Sequence, residues 1–351
     1  MAVTRTRALD DEKRTTPMSF PARRVTLSDV AAATGVSVGT VSKALNNRGQ
    51  LSGDTRGRIL AAAAELGFAL PTAASGPAPE QRVLTIGLVT SDDIGRFSIP
   101  VMWGLEDAFP AEQASVLLSN SRGDRVRERH CVEILAARGV DAIVVMTNLT
   151  GPRPALPATS VPIVYVMGSS DDPADMSVVV DQTQGILLAL EHVAALGRRD
   201  IAYVAGPRLD YSARIRAEAV QEHAPSFGLR LVGDRSLYGN WTETWGRQAA
   251  QMLRQRVEPV DAVLCGSDEI ARGVADGLRE AGVGVPHDVA IVGFDNWAAA
   301  AMNSRPALTT VDMNLEELGR AAGARALEAI DGRARAGIEA HPCQLIVRDS
   351  T

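Results

Sequence analysis

Two carboxylates, a guanidinium and an indole lie near the ends of apolar runs in the C-terminal half of the chain. Asp295 and Asp268 each follow such a run, Arg216 lies in the helix-length segment after another, and Trp241 lies in the sequence GNWTETWG. Carboxylates accept hydrogen bonds from hydroxyl groups, a guanidinium donates to ring oxygens, and an aromatic face packs against C–H groups. Together these four side chains suit a polyhydroxylated ring such as a sugar.

Further candidates lie at the ends of apolar runs in the N-terminal part of the same region. They are Asp92, Phe97, Ser98, Met146, Thr147 and Asp181, while Ser267 adjoins Asp268. Some of these residues have simpler explanations. Asp268 can cap the helix that begins there, and Asp181 can fix a strand that connects two parts of the body. The neighbouring Trp245 is more typical of a core residue than of a ligand contact.

No recognisable catalytic or metal centre emerges from the sequence. The five histidines show no HExxH or other metal-ligand spacing, and there is no Walker A sequence and no GxGxxG after a strand. Residues 35–39 satisfy G-x-S-x-G, but that motif works only at a strand-to-helix turn, and a helix is predicted before Ser37. We therefore expect a binding protein with no enzymatic activity, metal or cofactor.

The candidate residues belong to a region in which short apolar runs alternate with helix-length segments. The runs are VLTIGLV (83–89), SVLLS (115–119), AIVVM (142–146), PIVYVM (162–167), IAYVAG (201–206), AVLCG (262–266) and VAIVGF (289–294), and the segments are 124–138, 183–196, 212–227, 243–256, 268–281 and 314–331. Apolar strands alternating with helices indicate parallel α/β sheets. Seven or more strands would make an unusually large single sheet. We therefore expect two doubly wound lobes with a cleft between them.

A helical pattern occupies the preceding residues, 26–68. Thr26 is a good N-cap with Asp29 completing a capping box, Gly35 permits a tight turn, and a third helix is capped near Ser52. The apolar positions expected to close this small core are Leu27, Val30, Ala31, Val36, Val41, Leu45, Ile59, Leu60, Ala63, Leu66 and Phe68. A second helix set at an angle to the first by a tight turn is the unit that enters the major groove of DNA.

Charge is distributed unevenly along the chain. Residues 1–72 carry ten Lys or Arg and six Asp or Glu, a net charge of +4, whereas the remainder has a net charge of −10. A basic head on an acidic body indicates that the head meets a polyanion.

Length and composition limit the class of protein. A chain of 351 residues suggests two or three folding units. Its three cysteines are far apart, which argues against a disulfide framework and for a reducing compartment. No apolar run approaches the roughly 20 residues that a membrane span needs, and no secretion signal is recognisable. We therefore expect a cytoplasmic protein.

The head, TLSDVAAATGVSVGTVSKALN (26–46) followed by LSGDTRGRILAAAAELGF (51–68), resembles the LacI/GalR family of bacterial transcription regulators. The resemblance implies that Val38, Gly39 and Lys43 occupy the positions that select the operator sequence, although Gly39 has no side chain with which to read a base. It also implies that Leu27, Ser28, Ser37, Thr40, Ser42, Asn46 and Thr55 contact DNA. The body resembles the type I periplasmic-binding-protein fold that this family carries, in IGLVTSD (86–92), VDQTQG (180–185) and VPHDVAIVGFDN (285–296). This second resemblance implies that Asp295 and Arg216 contact the effector.

The chain departs from the family pattern between these two parts. Thr72 follows Pro71 where the family has asparagine, and the position of the family's DNA-wedging leucine falls near Ala78, amid a glycine and two prolines. Proline and glycine oppose a helix, and no large apolar wedge is present. We expect either a weak hinge or a grip on DNA without the usual kink.

The sequence predicts an N-terminal all-α head and an α/β body of two doubly wound lobes. The segments are a disordered extension (1–22), a helix-turn-helix domain (23–70), a linker (71–82) and an effector-binding, dimerising body (83–348), with one lobe at about 83–181 and 312–333 and the other at about 182–311 and 338–348. The predicted function is a homodimeric repressor whose affinity for a pseudo-palindromic operator is switched by a small molecule. A sugar is favoured, but purines and nucleosides stay open. The alternative is a sugar-binding protein of a transport system.

Overall fold

A computed structural model describes residues 26–45, 52–66, 83–92, 94–110, 114–146, 150–233 and 235–351. The chain divides into two compact units, Met1–Glu80 and Gln81–Thr351. The linker prediction at 71–82 and the predicted extension at 1–22 lie outside the described residues.

The first unit contains three helices, α1 (Leu27–Thr34), α2 (Val38–Leu45) and α3 (Gly53–Glu65). The predicted capping box is confirmed, because the Thr26 hydroxyl accepts from the Asp29 N–H and the Asp29 carboxylate accepts from the Thr26 N–H at 2.7 Å. Gly35 ends α1 with φ of +69°, a left-handed conformation in which glycine has no steric penalty. The Ser52 hydroxyl accepts from the Thr55 N–H at 3.3 Å and caps α3, as predicted.

The core of this unit is formed by buried side chains from all three helices. These are Val30, Ala31, Val41, Ala44, Ile59 and Ala63, with Leu27, Val36 and Leu45 partly buried against them. Two core predictions are wrong, because Leu60 is 45% exposed and Leu66 is 39% exposed. Both lie on α3 or at its end, and three helices this short bury only one narrow stripe of α3. Phe68 lies outside the described residues.

The first lobe of the second unit is built on a six-stranded parallel sheet. Its strands, in the spatial order β12-β5-β4-β3-β1-β2, are β1 (Leu84–Thr90), β2 (Ala114–Asn120), β3 (Ala142–Met146), β4 (Ile163–Val166), β5 (Met176–Val180) and β12 (Gly337–His341). Its helices are α4 (Ser98–Asp107), α5 (Arg125–Ala137) and α11 (Leu315–Ile330). Helices α4 and α11 meet through glycines, since a Cβ on Gly104 would overlap the Glu316 carbonyl oxygen.

The second lobe has a sheet in the order β13-β11-β10-β9-β6-β7, with β8 also pairing β6. Its strands are β6 (Asp200–Ala205), β7 (Arg230–Leu231), β8 (Leu237–Tyr238), β9 (Ala262–Cys265), β10 (Ala290–Phe294), β11 (Thr309–Asp312) and β13 (Gln344–Ile346), of which only β13 is antiparallel to its neighbour. The helices are α6 (Gln182–Ala195), α7 (Tyr211–His223), α8 (Glu243–Arg254), α9 (Asp268–Glu280) and α10 (Ala298–Ala301), and a 3-10 turn follows α7 at Ala224–Phe227. Every apolar run and helical segment predicted for the body therefore corresponds to an element.

The chain crosses between the lobes at three places, after β5, after β11 and between β12 and β13. Strand β12 pairs in parallel with β5 along its whole length. Residues 338–341 therefore belong to the sheet of the first lobe, which corrects their expected place in the second. Within the described residues, no helix is both long and apolar enough to cross a lipid bilayer.

Candidate functional site

The carboxyl ends of β10, β9 and β6 point toward the first lobe, and the charged side chains that follow them converge there. Asp295 comes directly after β10, with φ of +107° and a side chain that is only 7% exposed. Its carboxylate accepts from the guanidinium of Arg96 and lies 3.6 Å from Nη1 of Arg216. Burial raises the pKa of Asp295, while the two guanidinium groups oppose that change.

Arg216 lies on α7, is buried, and faces the same region. Its Nε donates to Oε1 of Gln182 at 2.6 Å, its Nη1 donates to the carbonyl oxygen of Gly266 at 2.6 Å, and its guanidinium carbon lies 3.5 Å from the centroid of the Phe294 ring. Among the described residues, Nη2 makes only a long contact of 3.7 Å with Sδ of Met313. Arg216 is therefore rigidly placed and still has a nitrogen with donors to offer.

The sequence did not single out Arg96, which reaches this site from the first lobe. Its Nη1 donates to Oε2 of Glu269 at 2.8 Å and its Nη2 donates to Asp295, so it links the two lobes. Its guanidinium carbon lies 4.5 Å from the ring centroid of Trp297 and 4.9 Å from that of Phe97. Burial would lower the pKa of Arg96, but the two carboxylates raise it. The available signal was its place beside Phe97, in a loop that follows a predicted strand.

Asp92 fixes the conformation of that loop by accepting hydrogen bonds from it. Its Oδ2 accepts from the N–H of Phe97 at 2.7 Å and of Ser98 at 2.9 Å, and from the Ser98 hydroxyl at 3.1 Å. Burial would raise the pKa of Asp92, but these hydrogen bonds together lower it. Asp92 and Ser98 are both buried and fix the start of α4, so they orient Phe97 and are not themselves part of the lining of the cavity described below.

Asp268 has a similar role in the second lobe. It is fully buried, with Oδ1 accepting from the Thr310 hydroxyl at 2.6 Å and Oδ2 from the Trp297 N–H at 2.7 Å. Burial, and to a smaller extent the nearby negative charge of Asp295, raise the pKa of Asp268 to about 8. The cap of α9 is Ser267, whose hydroxyl accepts from the Ile270 N–H at 3.3 Å. Asp268 therefore anchors the loop after β10, and neither the expected ligand contact nor the helix cap describes its place.

A cavity of about 340 Å³ lies between the two lobes. The predicted site residues that line it are Phe97, Arg216, Trp241, Ser267 and Asp295. The sequence missed the others, which are Arg96, Thr150, Met167, Asp210, Ser212, Glu269 and Met313. The indole of Trp241 lies flat against Gly206 and Gly266, because a Cβ on either glycine would press on its ring. The lining therefore combines an aromatic face, two thioethers, hydroxyls and charges of both signs.

Two further candidates, Met146 and Asp181, do not line this cavity. Met146 is fully buried in β3. Asp181 lies at the first crossing between the lobes, where its N–H donates to the His341 carbonyl at 2.8 Å and its Oδ1 accepts from the Gln184 N–H at 2.9 Å. This is the tie that the simpler explanation predicted. Thr147 lies outside the described residues.

Trp245 is buried, and its indole N–H donates to the Ala205 carbonyl at 2.9 Å, as expected of a core residue. No group of His, Cys, Asp and Glu side chains suited to a metal ion occurs in the described part of the chain.

In the head, α2 presents a polar surface beyond its buried Val41 and Ala44. Ser37, Val38, Gly39 and Lys43 are exposed, whereas Leu27, Thr40, Ser42 and Thr55 are half-buried. The Ser37 hydroxyl accepts from the Thr40 N–H at 3.2 Å and follows helix α1, so the G-x-S-x-G sequence is not a strand-to-helix elbow. Asn46 and the side chain of Ser28 lie outside the description.

Comparisons with known proteins find a family model that matches each of the two units. Residues 26–70 match a family model described as bacterial regulatory proteins, lacI family, and residues 190–351 match a periplasmic binding protein-like domain. The HTH-type transcriptional regulator CelR of Thermobifida fusca is 30% identical over 342 residues, which covers 93% of this chain and 98% of CelR.

Two solved structures are similar over nearly the whole chain. A lac repressor dimer bound to operator and the anti-inducer ONPF has a TM-score of 0.65 and 27% identity, covering 93% of this chain and 99% of the repressor chain. A complex of the transcriptional regulator CelR with cellobiose has a TM-score of 0.64 and 28% identity, covering 93% of this chain and 100% of that chain.

Proposed function

Since this chain belongs to the lacI family of bacterial regulatory proteins, we propose that it is a homodimeric transcription repressor whose operator affinity is switched by a sugar bound between the lobes. The observation that carries the proposal is the convergence of Trp241, Arg216 and Asp295 on one interlobe cavity. The protein acts where chromosomal DNA is, in the cytoplasm, and no enzymatic step is assigned to the cavity. A transport protein that only binds sugar would leave the helix-turn-helix unit without a role.

The head supplies the specific contacts to DNA through the exposed side chains of α2. Val38 is apolar and suits a thymine methyl group, while Lys43 is a donor for guanine in the major groove. Ser37, Thr40 and Thr55 are short hydroxyl donors near helix N-termini, which suits contacts to phosphate. Two heads of a dimer then read two half-sites related by a pseudo-twofold axis.

The cavity offers matching chemistry for a sugar ring. The indole of Trp241 provides a flat face for C–H groups, and Nη2 of Arg216 provides a donor. Glu269 and Asp295 provide carboxylate acceptors for hydroxyls. Because the lining has charges of both signs, we favour a neutral sugar over a sugar phosphate.

A bound sugar contacts both lobes at once. Phe97 and Thr150 come from the first lobe, and Trp241 and Ser212 from the second. Such a ligand stabilises one arrangement of the lobes, and it switches the operator affinity only to the extent that the arrangements differ in affinity for the sugar.

The DNA-binding part is tested by selecting sites from random duplex DNA with the full-length protein, and then measuring Kd for the selected duplex by fluorescence anisotropy. We expect a pseudo-palindromic site and a loss of affinity of about tenfold or more for Lys43→Ala. Arg138→Ala removes another exposed positive charge, from the body, and serves as the control. Equal losses for the two variants would contradict a specific role for α2.

The sugar-binding part is tested by a thermal-shift screen of monosaccharides, disaccharides, sugar phosphates and nucleosides, because a ligand of the folded state raises the melting temperature. We expect one class of sugar to stabilise the protein, and Trp241→Ala and Arg216→Ala to abolish the shift. Arg214→Ala, which removes an exposed guanidinium two residues away on α7, should keep it. Stabilisation by nucleosides alone would refute the sugar assignment.

A further inference from the structure

Two cavities lie between the lobes and share one wall. The first, of about 340 Å³, is the cavity against Trp241 and is called the Trp241 cavity below. The second, of about 420 Å³, includes Trp297 in its lining and is called the Trp297 cavity. Both are lined by Arg96, Phe97 and Asp295. The ion pair between Arg96 and Asp295 therefore stands between them.

Contacts from both lobes hold this wall in place. From the second lobe, Asp295 and Glu269 hold two different nitrogens of the Arg96 guanidinium, whose planar face lies against Trp297. From the first lobe, the neighbouring Phe97 N–H is fixed by Asp92. The Arg96 side chain is only 11% exposed. A desolvated guanidinium that donates to two carboxylates and stacks on an aromatic ring is a strong and directional contact.

The two cavities have related but separate linings. The Trp241 cavity pairs an indole face with Arg216 and with the hydroxyls of Ser212 and Ser267. The Trp297 cavity pairs another indole face with polar side chains, namely Asn296, Asp312, Asn314, Glu316 and Arg320. Each combination suits one polyhydroxylated ring, and a ligand of two linked rings would have to pass through the position of the Arg96 guanidinium.

We propose that Arg96 is a specificity-determining residue that restricts the effector to a single sugar ring in the Trp241 cavity. The inference rests on the proposed function, since it concerns the same ligand site. A disaccharide binds only if Arg96 leaves Asp295, which would separate a buried ion pair and leave the Asp295 carboxylate with Arg216 at 3.6 Å as its remaining cation. Removal of the guanidinium joins the two cavities and opens the site to a second ring.

The test compares the wild type with Arg96→Ser and Glu269→Gln by isothermal titration calorimetry of the full-length protein. The probes are matched pairs of a monosaccharide and its disaccharide: glucose and cellobiose, galactose and lactose, xylose and xylobiose. Glu269→Gln is the matched control, because it removes the other ion pair of Arg96 but keeps the bridge to Asp295. Tryptophan fluorescence during urea unfolding verifies that each variant is folded.

We expect the wild type to bind one monosaccharide about tenfold or more tightly than the matching disaccharide, and Arg96→Ser to shift that ratio at least about tenfold toward the disaccharide. Glu269→Gln should leave the ratio unchanged even if both affinities fall. Sugar binding with the same ratio in wild type and Arg96→Ser, or a wild type that prefers the disaccharide, would overturn the inference alone. If neither protein binds any sugar, the proposed sugar effector is refuted and the inference with it.

Discussion

Replacement of Asp295 by asparagine tests whether the bridge between the lobes exists in solution. The substitution keeps the size of the side chain and removes the charge that faces Arg96 and Arg216. Breaking a buried pair by removal of one partner costs about 3 to 5 kcal/mol. The lower end applies here, because Arg96 keeps Glu269 at 2.8 Å and because burial, which raises the pKa of Asp295, offsets part of the gain. We expect the free energy of unfolding of the body to fall by about 3 kcal/mol.

The assay is urea unfolding at pH 7.5, followed by tryptophan fluorescence and without added sugar. All four tryptophans lie in the second unit, at positions 103, 241, 245 and 297, so the signal reports the body and not the head. Asp331→Asn is the control, since Asp331 pairs with Arg333 at 3.0 Å and both side chains are exposed. An exposed pair contributes about 1 kcal/mol or less.

A double-mutant cycle with Arg96→Met makes the test specific to the pair. If Arg96 and Asp295 interact as the structure indicates, the double variant loses less stability than the sum of the two single variants, by about 1 kcal/mol or more. Additive effects would refute the bridge. A stability of Asp295→Asn equal to that of the wild type would show that the ion pair makes no net contribution to the free energy of unfolding.

Two other predictions concern buried groups near the cavity. Burial raises the pKa of Asp268 to about 8, far above its value near 4 in the unfolded chain, so its contribution is greatest at low pH and is lost as pH rises toward 8. Asp268→Asn should therefore reduce the decline in unfolding free energy between about pH 5 and pH 8, measured in the same urea assay, and an unchanged pH dependence would contradict this reasoning. The hydroxyl of Tyr203 is buried with no hydrogen-bond partner among the described residues. Tyr203→Phe should leave the unfolding free energy unchanged or raise it by up to about 1 kcal/mol, and a clear loss would reveal a hidden partner.

Local signals in the sequence were sufficient to predict most elements. Thr26 and Ser52 cap helices because each carries a short hydroxyl before an amphipathic segment, and that information lies within four residues of the helix start. The apolar runs of the body likewise predict buried strands, because they are short and the strands of a sheet covered on both faces are apolar along their whole length.

Contacts between residues that are far apart in the chain could not be predicted from such local signals. Arg96 and Asp295 are 199 positions apart, so nothing near Arg96 indicates which carboxylate it meets. The assignment of residues 338–341 failed for the same reason, because pairing of β12 with β5 is decided by the crossing of the chain between lobes. Asp268 was expected at a ligand because its residue type suits one, and only the structure reveals that Thr310 and Trp297 already use both of its oxygens.

The bridge also bears on the direction of the proposed switch. Arg96 joins the lobes through Asp295 and Glu269, and the hydroxyls of Thr150 and Ser212 join them at a second point. A sugar that fits the Trp241 cavity with these contacts intact adds to the bridged arrangement and increases its population. A larger ligand that separates Arg96 from Asp295 removes a contact of the bridged arrangement, so its differential affinity for that arrangement is smaller or reversed. Whether a given ligand strengthens or weakens operator binding therefore depends on what it does to this ion pair as well as on how tightly it binds.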